Sequence, residues 1–90
     1  MIVEYTAGFD RLYRKLPERT QDEARRVIAS FLERFAGRSF PKGLRVHKCG
    51  PFLGLSVDLN LRIFLVPVPG GVRFTFIGNH RDADQYLKER

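Results

Sequence analysis

The sequence predicts an α+β domain: a sheet with a helical hairpin packed on one face. Three observations predict it. Apolar residues recur at spacings of three and four between Phe9 and Phe35, the period of an amphipathic helix, with one break at Pro17. From Leu44 onward the apolar residues instead alternate or run continuously, and Pro69-Gly70-Gly71 punctuates them as a hairpin turn. Ninety residues, 43% of them apolar, fit one domain spanning 1–90 with a real core and no need of staples.

Each element follows in order. Ile2, Val3 and Tyr5 read as a short first strand. Phe9, Leu12, Tyr13 and Leu16 share one helical face, and Pro17 stops that helix. A second helix runs from Glu18 to Phe35, with Ala24, Val27, Ile28, Phe31, Leu32 and Phe35 as its core-facing stripe and Gly37 as its stop. The single-residue break makes the two helices an antiparallel hairpin. Leu44 to Lys48 and Phe52 to Leu59 alternate as strands. Leu61 to Val68 is apolar apart from Arg62 and reads as a central strand buried on both faces. Val72, Phe74 and Phe76 form one face of the last strand, with Arg73 and Thr75 on the other. Asp82 and Gln85 resemble a capping box, so a short helix is expected from Ala83. The sum is a short N-terminal strand and helical hairpin on a mostly antiparallel four- to five-stranded sheet, closed by a short C-terminal helix.

The charge balance narrows the class. Sixteen Lys and Arg against ten Asp and Glu give +6. Residues 39–77 hold five basic side chains (Lys42, Arg45, Lys48, Arg62, Arg73) and one acidic, Asp58. A positive face there would attract nucleic acid or an acidic protein segment; the plainer alternative is a soluble basic surface with no such partner. The lone Cys49 points to a reducing compartment, and no leader or membrane-length apolar run stands in the sequence, so a soluble cytoplasmic protein is expected.

Several chemistries lack their signals. The glycines are scattered at turns rather than gathered in a phosphate loop. Two histidines 33 residues apart with one cysteine lack metal-ligand spacing, so neither metal nor cofactor is expected. No serine sits in a nucleophile elbow. What remains suits phosphodiester chemistry on RNA, which carries its own nucleophile, the 2′-hydroxyl. Arg45, His47, Lys48, Arg62, His80, Arg81 and Tyr86 offer proton transfer, a guanidinium fork for phosphate and a ring for stacking. Two of these stay open on the residues alone. Arg62 is either a partner for Asp58 across the turn at Leu59-Asn60 or a phosphate clamp. His80 is either a polar turn residue or a catalytic imidazole.

Taken together, FDRLYRKLP (9–17), LRVHKCG (44–50), LSVDLNLRIFLV (55–66) and IGNHRDADQYL (77–87) resemble the RelE/ParE superfamily of bacterial type II toxin–antitoxin toxins over nearly the whole chain. The resemblance implies a ribosome-dependent, metal-independent mRNA endonuclease. Arg62 would contact the scissile phosphate, His80 would act as acid or base, and Tyr86 would position a base. Arg45, His47, Lys48, Arg73 and Arg81 would bind the substrate. One departure stands on the strand before Arg62, where such endonucleases often carry Lys or Arg. Here the outward positions are Phe52, Gly54 and Ser56, so His47 or Lys48 would have to substitute. With Asp82 and Gln85 starting the helix, His80 is free for chemistry. The implied partners are an acidic antitoxin, the ribosome and mRNA. A gyrase inhibitor of the ParE kind, or a degenerate homologue that retains only antitoxin binding, are the other outcomes the resemblance allows.

Overall fold

The structure, a computed structural model, describes residues 1–37 and 46–89. Its elements are β1 (Ile2–Tyr5), α1 (Ala7–Arg14), α2 (Glu18–Gly37), β2 (Val46–Cys49), β3 (Phe52–Ser56), β4 (Leu61–Val68), β5 (Gly71–Asn79) and α3 (His80–Lys88). The strands form one sheet in the order β1-β5-β4-β3-β2, parallel only between β1 and β5. This is the expected α+β layout, with β4 at the centre. The expected strand start at Leu44 and the candidate Arg45 lie outside the described residues.

The hairpin forms for local reasons. Thr6 leaves β1 extended and its hydroxyl accepts the Phe9 N–H at 3.1 Å, starting α1 two residues ahead of its first apolar position. Pro17 ends the segment, and its carbonyl accepts the Gln21 N–H at 2.9 Å as α2 begins. Gln21 Nε2 then donates back to the carbonyls of Leu16 (3.2 Å) and Tyr13 (2.9 Å), the latter already accepting the Leu16 N–H at 3.1 Å at the end of α1. One side chain thus fixes the angle between the helices.

The hairpin covers one face of the sheet. Phe9, Ala24, Ile28 and Phe31 pack there on Leu55, Leu61, Ile63, Leu65, Val72, Phe74 and Ile77, all buried. On the opposite face Phe52, Phe64, Phe76 and Ala83 form a second, smaller cluster beneath α3. Leu12 touches both, at the sheet edge where α1 crosses it. β4 is therefore buried from two sides, Leu61, Ile63 and Leu65 facing the hairpin and Phe64 facing α3.

Two sequence expectations change. β3 ends at Ser56 rather than Leu59, because the Asp58 carboxylate accepts the N–H groups of Asn60 (2.7 Å) and Leu61 (2.8 Å) and closes a tight turn. Phe76 does not share a face with Val72 and Phe74. The β4–β5 register pairs Phe64 with Phe76 and Leu65 with Phe74, leaving Thr75 as an extra residue. That bulge inverts the alternation and sends Phe76 to the α3 side.

The hairpin layer rests on Phe31, wholly buried against the edge of Phe74 at 6.4 Å. Phe31→Ala should cost about 3–5 kcal/mol, as large-to-small core changes do, measured by urea unfolding.

Candidate active site

The second face of the sheet gathers most of the candidate side chains. β2 and β3 pair His47 with Gly54, and β3 to β5 align Ser56, Arg62 and Gly78 in one row. Alternation then puts His47, Cys49, Gly54, Arg62 and Phe64 on the α3 side. These line a cavity of about 130 Å³, closed by His80, Ala83, Asp84 and Leu87 from α3. The four helix residues stand at i, i+3, i+4 and i+7, so they form one stripe.

The helix starts earlier than its sequence suggests. Asn79, not Asp82, is the cap: its Oδ1 accepts the Asp82 N–H at 2.8 Å. Gln85 instead donates to Glu89 Oε1 at 3.2 Å. The last strand therefore runs straight into α3, because Asn79 is extended (φ −74°, ψ 173°) yet its short amide reaches the third helical N–H. His80 becomes the first helical residue, exposed and carried on a rigid element. Asp84 joins it one turn later. The relation is invisible when the helix is started at Ala83.

Arg62 answers one question left by the sequence. Its Nη1 donates to the Asp58 carbonyl at 2.9 Å and the Leu61 carbonyl at 3.3 Å. Asp58 is its neighbour, but through the backbone, since the carboxylate is spent on the turn. Among the described residues Arg62 has no acidic ion-pair partner. Two neutral oxygens thus orient the guanidinium and leave its charge available, with donors to spare for an anion.

Glycine makes the room. A Cβ at Gly54 would come within 3.2 Å of both Cys49 Sγ and Phe64 Cε1, so the floor between His47 and Phe64 exists only without a side chain. A Cβ at Gly78 would meet Phe76 Cζ at 2.7 Å. The Phe76 ring lies flat across that glycine, and Tyr86 stacks on it with centroids 4.7 Å apart and planes 25° apart. Tyr86 also packs on Phe52 and Phe64, at 5.5 and 5.9 Å.

The candidates therefore divide. His47, Arg62 and His80 meet at one cavity. Tyr86, half-buried on the aromatic cluster, lines a separate cavity of about 550 Å³ together with Arg73. Arg73 holds Glu4 at 3.0 Å. Lys48 is exposed, and its pairing with Leu53 puts it on the hairpin side of the sheet, away from His47. Arg81 is exposed on α3 outside the cavity stripe. Among the described residues no group of three His, Cys, Asp or Glu is placed to hold a metal ion. A third, apolar cavity of about 600 Å³ lies on the hairpin side, lined by Tyr5, Phe9, Tyr13 and Leu32 among others. Burial, then the nearby Tyr13 and Asp10, raise the Tyr5 phenol above its ordinary pKa.

Solved structures share this arrangement of elements. A histidine-to-glutamine mutant of YafQ from E. coli superposes with TM-score 0.75 at 11% identity, over 91% of this chain and 96% of that one. The RelB–RelE antitoxin–toxin complex of Methanococcus jannaschii gives 0.69 at 13% identity, over 92% and 96%. The E. coli DinJ–YafQ toxin–antitoxin complex gives 0.70 at 13%, over 90% and 93%. The fold is that of the RelE-type toxins. No family profile and no curated protein matches the chain in sequence. Among the described residues no helix is long and apolar enough to cross a membrane.

Gly78 links the strand to this site, and its replacement tests the packing. Gly78→Ala should cost about 1–3 kcal/mol, because the Phe76 ring is pinned between the sheet and Tyr86. The aromatic near-ultraviolet circular dichroism should change while the far-ultraviolet spectrum holds. Asn79→Ala should cost about 1 kcal/mol by loss of the cap, read by thermal unfolding.

Proposed function

We propose that the chain is the toxin of a type II toxin–antitoxin system, a ribosome-dependent mRNA endonuclease that needs no metal. The observation that carries this is the meeting of His47, Arg62 and His80 at one small cavity on the sheet face of a RelE-type fold. Cleavage is a transesterification. The 2′-oxygen loses its proton to one imidazole and attacks phosphorus. The P–O5′ bond breaks, and the leaving oxygen takes a proton from the other imidazole. A 2′,3′-cyclic phosphate remains. Both proton transfers fall within the competence of histidine.

Arg62 is the group for the crowded phosphorane, since its guanidinium is oriented by neutral carbonyls and bears no ion pair among the described residues. His80 takes one proton-transfer role. β3 presents Phe52, Gly54 and Ser56 and supplies no base, so His47, directly across from Gly54, takes the other. Tyr86 positions a base. Arg81, exposed on α3, adds positive field beside the cavity. Arg73 is paired with Glu4 and Lys48 stands on the other face of the sheet, so these two and Arg45 serve the net positive charge of the chain. The partner that keeps such a toxin silent is an antitoxin; two of the similar solved structures are complexes with antitoxins, RelB and DinJ. An acidic segment suits the net charge of +6. The ribosome and the cytoplasm are where such a reaction would take place.

Tightly repressed expression tests the reading. The wild type should arrest growth with translation-dependent mRNA cuts, mapped by primer extension. His80→Ala and His47→Ala should each lower cleavage by about 10²–10⁴-fold. Arg62→Ala should lower it by about 10²–10³-fold. Arrest with intact transcripts and a DNA-damage response would replace this reading with gyrase inhibition. Absence of arrest would leave a homologue that only binds antitoxin.

A further inference from the structure

We propose that the apolar cavity of about 600 Å³ on the hairpin side is a binding site for a small organic cation, an ammonium or guanidinium group carried on an apolar or aromatic body. It stands on the face of the sheet away from His47 and His80. The inference therefore goes beyond the cleavage reading and does not rest on it.

Three elements build the cavity. β1 contributes Tyr5, and α1 contributes Phe9, Asp10 and Tyr13. From α2 come Arg25, Ile28, Ala29 and Leu32, at i, i+3, i+4 and i+7, so that wall is one continuous stripe. The volume falls within the ~300–1,000 Å³ of sites for small organic ligands, which are mostly apolar with a few placed polar groups.

Tyr5, Phe9 and Tyr13 form the aromatic wall. The Tyr5 and Phe9 rings lie 5.3 Å apart and are inclined at 48°, and Phe9 and Tyr13 follow at 6.0 Å and 17°. That wall is held before any ligand arrives. Tyr5 stacks on the buried Phe74 at 5.2 Å. The Tyr13 hydroxyl donates to the Gln21 carbonyl at 3.3 Å and accepts from Arg25 Nη1 at 2.6 Å. Phe9 is buried, whereas Tyr5 keeps 43% of its surface exposed and can be reached from solvent.

Charge selects the ligand. Arg25 is committed, since its Nη2 pairs with Asp22. Asp10 is exposed and has no ion-pair partner among the described residues. The cavity thus carries one uncompensated charge, a carboxylate, in a chain of net charge +6. Burial, and after it Tyr13 and Asp10, hold the Tyr5 phenol above its ordinary pKa, so it stays neutral at physiological pH. A carboxylate close enough to oppose that ionisation is close enough to attract a cation lying on the same rings. Aromatic faces favour a cation for an electrostatic reason too, and more strongly as it sheds water. An anion would meet the Asp10 charge with Arg25 already paired, which sets a nucleotide or an acidic peptide aside. A neutral apolar ligand would gain from the walls and nothing from Asp10.

The test uses the full chain and three soluble probes of similar size: benzyltrimethylammonium, benzyl alcohol and benzenesulfonate. Titration followed by NMR should shift the ring signals of Tyr5 and Tyr13 and the methyl signals of Ile28 and Leu32, while those of Tyr86 hold. The cation should bind about tenfold more tightly than the alcohol, and the sulfonate more weakly than either. Asp10→Asn should weaken the cation about fivefold and leave the alcohol unchanged. Tyr5→Leu should weaken it by about the same factor, and Tyr5→Phe, which keeps the ring, should bind as the wild type does. Asp10→Asn changes an exposed side chain, so it tests the site even if Tyr5→Leu fails to fold. Equal affinity for the three probes, or a folded Asp10→Asn that binds the cation as the wild type does, overturns the site. So does a leucine-rich helical peptide with a single arginine that moves these signals when benzyltrimethylammonium does not, because the cavity is then a protein-docking surface. His80→Ala should leave the titration unchanged, whatever it does to cleavage.

Discussion

In the β4–β5 ladder Thr75 has no partner residue, and this extra residue lets one strand serve two cores. Before it, Val72 and Phe74 point at the helical hairpin. After it, Phe76 points the other way, onto the face where α3 docks. The bulge is secured on both sides, the Thr75 hydroxyl donating to the Phe64 carbonyl and the Thr75 carbonyl accepting from Thr6, each at 3.3 Å. Without the shift Phe76 would crowd the hairpin core, Tyr86 would lose its platform, and α3 would have little apolar surface to cover. The position of His80 follows from that docking. A one-residue irregularity in a ladder thereby sets the location of the candidate site.

The two arginines on this face show how the same side chain is used differently. Arg73 is exposed and committed to Glu4, an ion pair of the kind that adds little to stability but holds a side chain in place. Arg62 rises beside the apolar centre of the sheet and is satisfied by carbonyl oxygens alone. A charge in that position must find polar partners, and neutral ones orient it without cancelling its field. Such an arrangement suits an anion that comes and goes better than a structural role, since any carboxylate within reach would compete with the anion.

Much of the fold was legible in residue periodicity. The three-and-four spacing of Ala24, Ile28 and Phe31, the break at Pro17 and the near-continuous apolar run of β4 each translate directly into an element and a buried face. Arg62 and His80 stood out in the sequence by residue type and spacing, and the structure brings both to one cavity; the likeness of the whole layout to RelE-type toxins agreed with the solved folds. What misled was local competition. Asp82 with Gln85 reads as a capping box, yet Asn79 stands three residues earlier with the same capacity and captures the Asp82 N–H first. Alternation across Val72, Phe74 and Phe76 reads as one face, because both faces of this strand are buried under apolar residues and a bulge at Thr75 leaves the apolar pattern unbroken.

By itself the sequence determined the elements, their order, the hairpin and the basic character of the sheet region, since these depend on neighbours a few residues apart. Tertiary structure decided what meets what. His47 faces His80 rather than the hairpin because of its register against Gly54. Asp84 joins them because α3 begins at His80. Tyr86 stands apart over a larger cavity because Phe76 was turned beneath it. Register, bulge and helix phase each shift a side chain to another face by one residue, and that choice is settled by packing across the whole sheet.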